Sequence, residues 1–142
     1  MKVIPDKIHL MDLRVLEFSF KSMDGGDNST KQNPSLEIGM QHTISPEEKR
    51  LTFIYEGKLE IRNTDNEMLH SAHFKCKFLI EVENLEEFNV VEEGDVKYDA
   101  IIGLTCTGIT YSTLRGILFE KLSGTPLEYY TLPVIDPKSL FN

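Results

Sequence analysis

Between Ala72 and Val82 every second residue is apolar. Ala72, Phe74, Cys76, Phe78, Ile80 and Val82 stand in one phase, and Ser71, His73, Lys75, Lys77 and Glu81 stand in the other. Successive side chains of a strand point to opposite faces, so this pattern describes a strand with one face buried and one face wet. Residues 51–62 repeat it with Leu51, Phe53, Tyr55, Leu59 and Ile61. Gly57 falls in the same phase, where a glycine marks a bulge or a close approach. Residues 35–43 place Leu36, Ile38 and Met40 on one side and Glu37 and Gln41 on the other. The turn formers Ser45-Pro46-Glu47-Glu48 and Asn63-Thr64-Asp65-Asn66 separate the three strands, which predicts an antiparallel meander with one polar face.

A fourth strand is predicted over residues 8–20. Leu16, Phe18 and Phe20 alternate with Glu17 and Ser19, but Leu13 and Val15 belong to the opposite phase. The slip calls for a bulge or bend between Leu13 and Leu16, or for burial of both faces. Residues 21–34 carry almost nothing that can be buried, and Gly25-Gly26 and Asp27-Asn28 are turn formers. They read as a long mobile connection.

Past the strands the period changes. Asn84 to Lys97 is acidic and without a clear repeat. Asp95 is the candidate N-cap of a short helix through Ile101, Ile102 and Leu104, with Thr107-Gly108 interrupting it. A longer helix follows from Ile109 to Ser123, its stripe made of Tyr111, Leu114, Leu118 and Leu122 and widened by Ile117. Gly124 stops it and Pro126 prevents continuation. Gly116 inside that helix costs roughly 1 kcal/mol against alanine, which calls for a packing reason, against the sheet or against a symmetry partner. The last ten residues have room for little more than one turn. Strands first and helices after is an α+β order. The expected fold is a four-stranded antiparallel sheet with helices packed on one face, a single domain over residues 1–142 whose helical part is 95–142.

Chemistry is thin along this chain. The net charge of −8 argues against nucleic acid, whose phosphates need a basic footprint, and suits a partner with basic segments. No segment approaches the roughly 18 apolar residues of a membrane span, so no membrane insertion is expected. The N-terminal stretch, which carries Asp6 and Asp12, is not read as a secretory signal. Cys76 and Cys106 have no short spacing and read as reduced, buried thiols of a cytoplasmic protein. His70 and His73 sit three apart on a strand and face opposite ways, and neither His9 nor His42 completes a zinc spacing, so no metal site is expected. Asp24, Asp27 and Asn28 lack calcium-loop spacing and read as a solvated loop. Cys106 has no histidine close in sequence, and there is no phosphate-binding glycine loop or nucleophile elbow. Neither an enzyme nor a cofactor is expected. The carboxylates from Glu81 to Asp95 read as a solvated face. Arg115 either pairs with a carboxylate across an interface or is an exposed helix residue.

The segment after the helix is the least ordinary. Leu127, Tyr129, Tyr130, Leu132, Val134 and Ile135 crowd into a stretch that Pro126 and Pro133 keep from being a helix. Such a segment either packs back on its own core or forms the aromatic wall of a groove for apolar peptide, a role that suits amphipathic tyrosines.

Glu17-Phe18-Ser19-Phe20, the connection and meander after it, and a helix leaving through Ser123-Gly124-Thr125-Pro126 to Leu132-Pro133-Val134-Ile135 together resemble the SecB-type export chaperones over roughly residues 8–141. The resemblance implies helices on one face of a four-stranded antiparallel sheet and assembly into homodimers or homotetramers. It also implies ATP-independent holding of unfolded or nascent polypeptide clients in long apolar grooves. Phe18, Phe20, Leu127, Tyr129, Tyr130 and Leu132 would line such a groove. The family docks its export ATPase on an acidic sheet surface. Here Glu17 is followed by Lys21, and the outward side of the last strand offers His73, Lys75 and Lys77. Relatives dedicated to one client, an antitoxin, are an alternative. A protein binding a small apolar ligand between sheet and helices is another.

Overall fold

The computed structural model describes residues 2–23, 34–128 and 130–141. Most of the connection between the first two strands, including Asp24, Asp27 and Asn28, lies outside the described residues, as does Tyr129.

Four long strands form one antiparallel sheet: β1 (Ile8–Ser22), β2 (Ser35–Ser45), β3 (Arg50–Arg62) and β4 (Met68–Val82), in the order β1-β4-β3-β2. The two central strands are the two with the cleanest alternation. Leu51, Phe53, Tyr55 and Leu59 of β3 and Phe74, Cys76, Phe78, Ile80 and Val82 of β4 are all fully buried. Gly57 keeps phase with them because its place is already filled. A Cβ there would lie 2.5 Å from the Phe74 ring and 2.7 Å from the Glu37 carbonyl oxygen. It is a close approach, not a bulge.

The phase slip in β1 is real and double. Register with β4 shifts between Leu10 and Asp12 and again between Val15 and Glu17, so Met11 and Leu16 have no partner. Each bulge returns the next apolar residue to the inner side: Leu10 faces Ile80, Leu13 faces Phe78, Val15 faces Cys76 and Phe18 faces Phe74. The strand also runs two residues beyond the predicted end at Phe20, with Lys21 and Ser22 paired to Ser71 and His70.

Two helical expectations are corrected. The stretch before the helix is not featureless: Leu85–Phe88 is a 3₁₀ turn, and β5 (Asn89–Glu92) and β6 (Asp95–Tyr98) form a hairpin. Its two-residue loop is Glu93-Gly94, both with positive φ (50° and 84°), the geometry that matches the twist of a hairpin. Asp95 is therefore a strand residue. The N-cap is Asp99, whose carboxylate accepts from the Ile101 N–H at 2.9 Å.

The second correction concerns Thr107-Gly108, which does not break the helix. α1 runs unbroken from Ala100 to Lys121. Burial on both sides of the glycine outweighs its propensity: Cys106, Thr107 and Thr110 are fully buried and Tyr111 nearly so. Thr107 Oγ1 donates to the Gly103 carbonyl and Thr110 Oγ1 to that of Cys106, which satisfies the hydroxyls within the helix. Tyr55 Oη of β3 lies 2.7 Å from Thr110 Oγ1, tying sheet to helix. Gly124 has φ +80°, as expected of a helix stop. A 3₁₀ turn, Pro137–Leu140, follows. No described helix is long and apolar enough to cross a membrane.

Candidate functional site

Four of the six residues expected to line a groove meet at one end of the sheet. Leu59, Ile61, Ala72, Leu122 and Leu127 form a buried cluster there, and Phe18, Phe20, Leu36, Leu69 and Tyr130 pack around it half-buried. Phe18 and Phe20 reach it from β1 because the second bulge sets them opposite Phe74 and Ala72. Phe20 also stacks on the His70 ring, with centroids 6.2 Å apart, while Ser22 Oγ lies 2.9 Å from His70 Nδ1.

Leu127 arrives through a run of turns. Thr125 Oγ1 donates to the Leu122 carbonyl at 2.7 Å and accepts from the Leu127 N–H at 3.1 Å, and the Tyr130 N–H returns to the Leu127 carbonyl. Leu132 is buried in the main core cluster, which Phe18 and Tyr130 also border. Leu127 and Leu132 are only 2% and 1% exposed, so these two pack back on their own core. The exposed rim of the patch belongs to Phe18, Phe20 and Tyr130.

Two side chains of α1 hold the segment down. Tyr111 Oη donates to the Pro133 carbonyl at 2.6 Å, and Arg115 Nε donates to the Leu132 carbonyl at 2.9 Å. Arg115 thus engages a backbone carbonyl of its own chain rather than a carboxylate. Burial raises the pKa of Tyr111, partly offset by the Arg115 charge, and burial raises that of Tyr130. Tyr55 is pushed up to about 12 by burial, against the lowering effect of its Thr110 hydrogen bond.

The thiols are poor nucleophiles. Cys106 is fully buried and its pKa is pushed up to about 12 by burial; burial also raises that of Cys76. A reactive thiol needs the opposite shift.

Two features were not visible in the sequence. On the polar side of the sheet His73 sits between carboxylates of its two neighbouring strands, Nδ1 3.8 Å from Glu17 and Nε2 3.4 Å from Glu56. Lys75 stands in register between the same two glutamates, so the row already contains a compensating cation. These residues come from three strands, and no spacing along the chain could announce them. Glu56, His73 and Lys75, with Glu37, Gly39 and Lys58, also line a depression of about 640 Å³ on this face.

The second feature is an apolar pocket of about 410 Å³ at the opposite end of the helix. It is walled by His42, Ile44, Leu51, Tyr98, Ile102, Leu104 and Phe141, with Asp99 and Lys138 also lining it. Its walls come from β2, β3, β6, α1 and the residue after the last turn.

No family model matches the sequence, and no curated protein matches it. Among solved structures, the chain is similar to a Mycobacterium tuberculosis SecB-like chaperone in complex with a ChAD peptide from the HigA1 antitoxin. The TM-score is 0.59 and the identity 12%, with 92% of each chain covered. A Streptococcus agalactiae protein of unknown function aligns with a TM-score of 0.42 at 11% identity, covering 89% of this chain and 97% of that one. The first likeness is one of fold: a SecB-like α+β arrangement, a four-stranded antiparallel sheet carrying one helix.

Proposed function

We propose that the protein is a SecB-like, ATP-independent chaperone that holds apolar segments of unfolded polypeptide without catalysing a reaction. The observation that carries this reading is the half-buried rim of Phe18, Phe20 and Tyr130 around a firm apolar floor, on a fold shared with a peptide-bound chaperone. Apolar burial there is worth about 25 cal/mol per Å², before the cost of association. The net charge of −8 keeps such a surface soluble.

Assembly into homodimers or homotetramers belongs to the same proposal. β1 is a 15-residue edge strand, and its inward Leu10, Leu13 and Val15 are still 42%, 36% and 37% exposed. Open strand edges invite pairing. On α1 the outer face shows Ile101, Ile109 and Phe119, and nothing stands within 4 Å of a Cβ built at Gly108 or Gly116. A second copy against that face would supply the packing reason Gly116 lacks within one chain.

A dedicated role is the second reading, because the similar Mycobacterium chaperone is bound to an antitoxin peptide. Export is not part of the proposal, since the polar face carries Lys75 between Glu17 and Glu56 and Lys77 beside Arg14 instead of a continuous run of carboxylates. Two buried free thiols fit a reducing compartment, the cytoplasm.

The test is light scattering of a chemically unfolded, aggregation-prone client diluted into the purified protein without ATP. Suppression near one client per assembly supports a general holder. A folded, oligomeric protein that suppresses nothing refutes general holding and leaves the single-client reading.

A further inference from the structure

The apolar pocket at the N-terminal end of α1 plays no part in the patch around Phe18, and it is already touched by an aromatic ring. Phe141 meets His42 edge-on, with ring centroids 4.8 Å apart and planes at 67°. On its other side is Gly103, where a Cβ would lie 3.4 Å and 3.6 Å from the Phe141 ring. The gap between β2 and the first turns of α1 thus admits an aromatic ring, which lies against Gly103.

Phe141 itself is lightly held. Its N–H reaches the Lys138 carbonyl at 3.2 Å, and the turn before it is capped by Asp136, which accepts from the Lys138 N–H. The ring is only half-buried. By contrast the walls behind it are firm: Leu51 is fully buried and Ile102 is 1% exposed.

The pocket also lies at the end of an open strand. β2 is the other edge of the sheet and pairs with β3 over eleven consecutive positions without a bulge. Roughly every second residue of such an edge turns its N–H and C=O to the unoccupied side. Its inward residues Ile38 and Met40 are half-buried, and the next two in that phase, His42 and Ile44, line the pocket. β1 offers no comparable edge, because its two bulges interrupt the ladder. The groups at the pocket mouth are one of each sign, Asp99 and Lys138, and Asp99 is engaged as the N-cap. Selection there is by shape rather than charge.

Resting on the chaperone reading above, we propose that this pocket anchors an aromatic side chain of a polypeptide segment that adds to β2 as a fifth strand. Phe141 forms one side of the pocket, and the open space beside it, about 410 Å³, is where that side chain would sit.

The chain contains no tryptophan, so the emission of a peptide acetyl-Thr-Val-Trp-Val-Thr-Val-amide reports binding directly. Phe141→Ala removes an aromatic wall of the pocket and should weaken binding roughly tenfold. Ala100→Phe, at an exposed position lining the pocket, fills the pocket and should weaken binding roughly tenfold or more, with an unchanged melting curve. Two results overturn the proposal: peptide affinity indifferent to both substitutions with the fold intact, or free N-acetyltryptophanamide binding as tightly as the peptide. If the wild-type protein suppresses client aggregation while both variants bind peptide as it does, only this inference falls. If the wild-type protein neither suppresses aggregation nor binds peptide, the chaperone reading falls with it.

Discussion

The segment leaving α1 is held by two hydrogen bonds to consecutive carbonyls, and cutting both tests what the segment is for. The double variant Tyr111→Phe, Arg115→Met keeps the ring and most of the arginine stem while removing both donors. The tyrosine bond, at 2.6 Å, is worth about 1 kcal/mol net, and the charged arginine bond, at 2.9 Å, about 2 kcal/mol. Losing about 3 kcal/mol of docking should raise the open population of the segment roughly 100-fold. Hydrogen exchange at the Leu127 and Tyr130 amides, both bonded within the segment, should accelerate by about that factor. A change of less than about threefold, well below the smallest value that the uncertainty of such bond energies allows, would refute the idea that these bonds pin the segment. The same variant has a functional sign. Leu127 and Leu132 are buried, so they meet a client only when the segment lifts, and the variant should hold unfolded client at a lower ratio. Weaker holding would mean that the segment serves in place, as a wall.

Other outcomes follow from the same geometry. Phe20→Ser with Tyr130→Ser, both on the half-buried rim, should weaken client holding at least tenfold with the melting temperature lowered by only a few degrees, which light scattering and circular dichroism check. Gly57→Ala forces a methyl against the Phe74 ring and the Glu37 carbonyl; overpacking of about 2 kcal/mol should lower the urea midpoint by about 1 M. Cys106 and Tyr55 rise from ordinary values of 9.0 and 10.0 to about 12 in the folded protein. The unfolded chain therefore loses these protons first, and stability is full below pH 9 and falls as pH rises toward 12. Once both groups titrate in the unfolded chain alone, the slope is about 3 kcal/mol per pH unit. Urea midpoints at pH 8, 10 and 11 test the sign.

How far residues announce their own place depends on how far apart their partners are. β3 and β4 were legible because alternation is a property of one strand and its burial. The slip between Leu13 and Leu16 left a bulge or bend, or burial of both faces, and the strand takes the bulge, at Leu16, with another at Met11 that the sequence pattern did not mark. The hairpin at Asn89–Tyr98 escaped because each strand has four residues and its turn uses Glu93-Gly94 rather than a more familiar asparagine or aspartate pair. The single helix escaped because Thr107-Gly108 reads as a break in the chain pattern, and the burial of Cys106, Thr107 and Thr110 that holds the helix through it is set by the fold. At the candidate site, Phe18, Phe20, Leu127 and Tyr130 come together as an apolar cluster, yet no periodicity tells buried leucine from exposed rim in a segment without regular structure. The pocket beside Phe141 was out of reach altogether, since five elements supply its walls.

On the proposed readings, and leaving aside the rim of Phe18, Phe20 and Tyr130, the two open edges of the sheet suit different strand partners, a second copy and a client. On β1 the exposed apolar residues are Leu10 to Leu16, at the end where the strand is bulged and poor at continuing a regular ladder with a foreign chain. On β2 the edge is unbroken, its inward residues are only half covered, and no bulge or lysine blunts it. A second copy matches itself by symmetry and tolerates bulges that recur on both sides. A client of arbitrary sequence has only its backbone and an occasional large side chain to offer, so it needs a regular edge and a forgiving pocket. The two edges of this sheet meet those two requirements in that order.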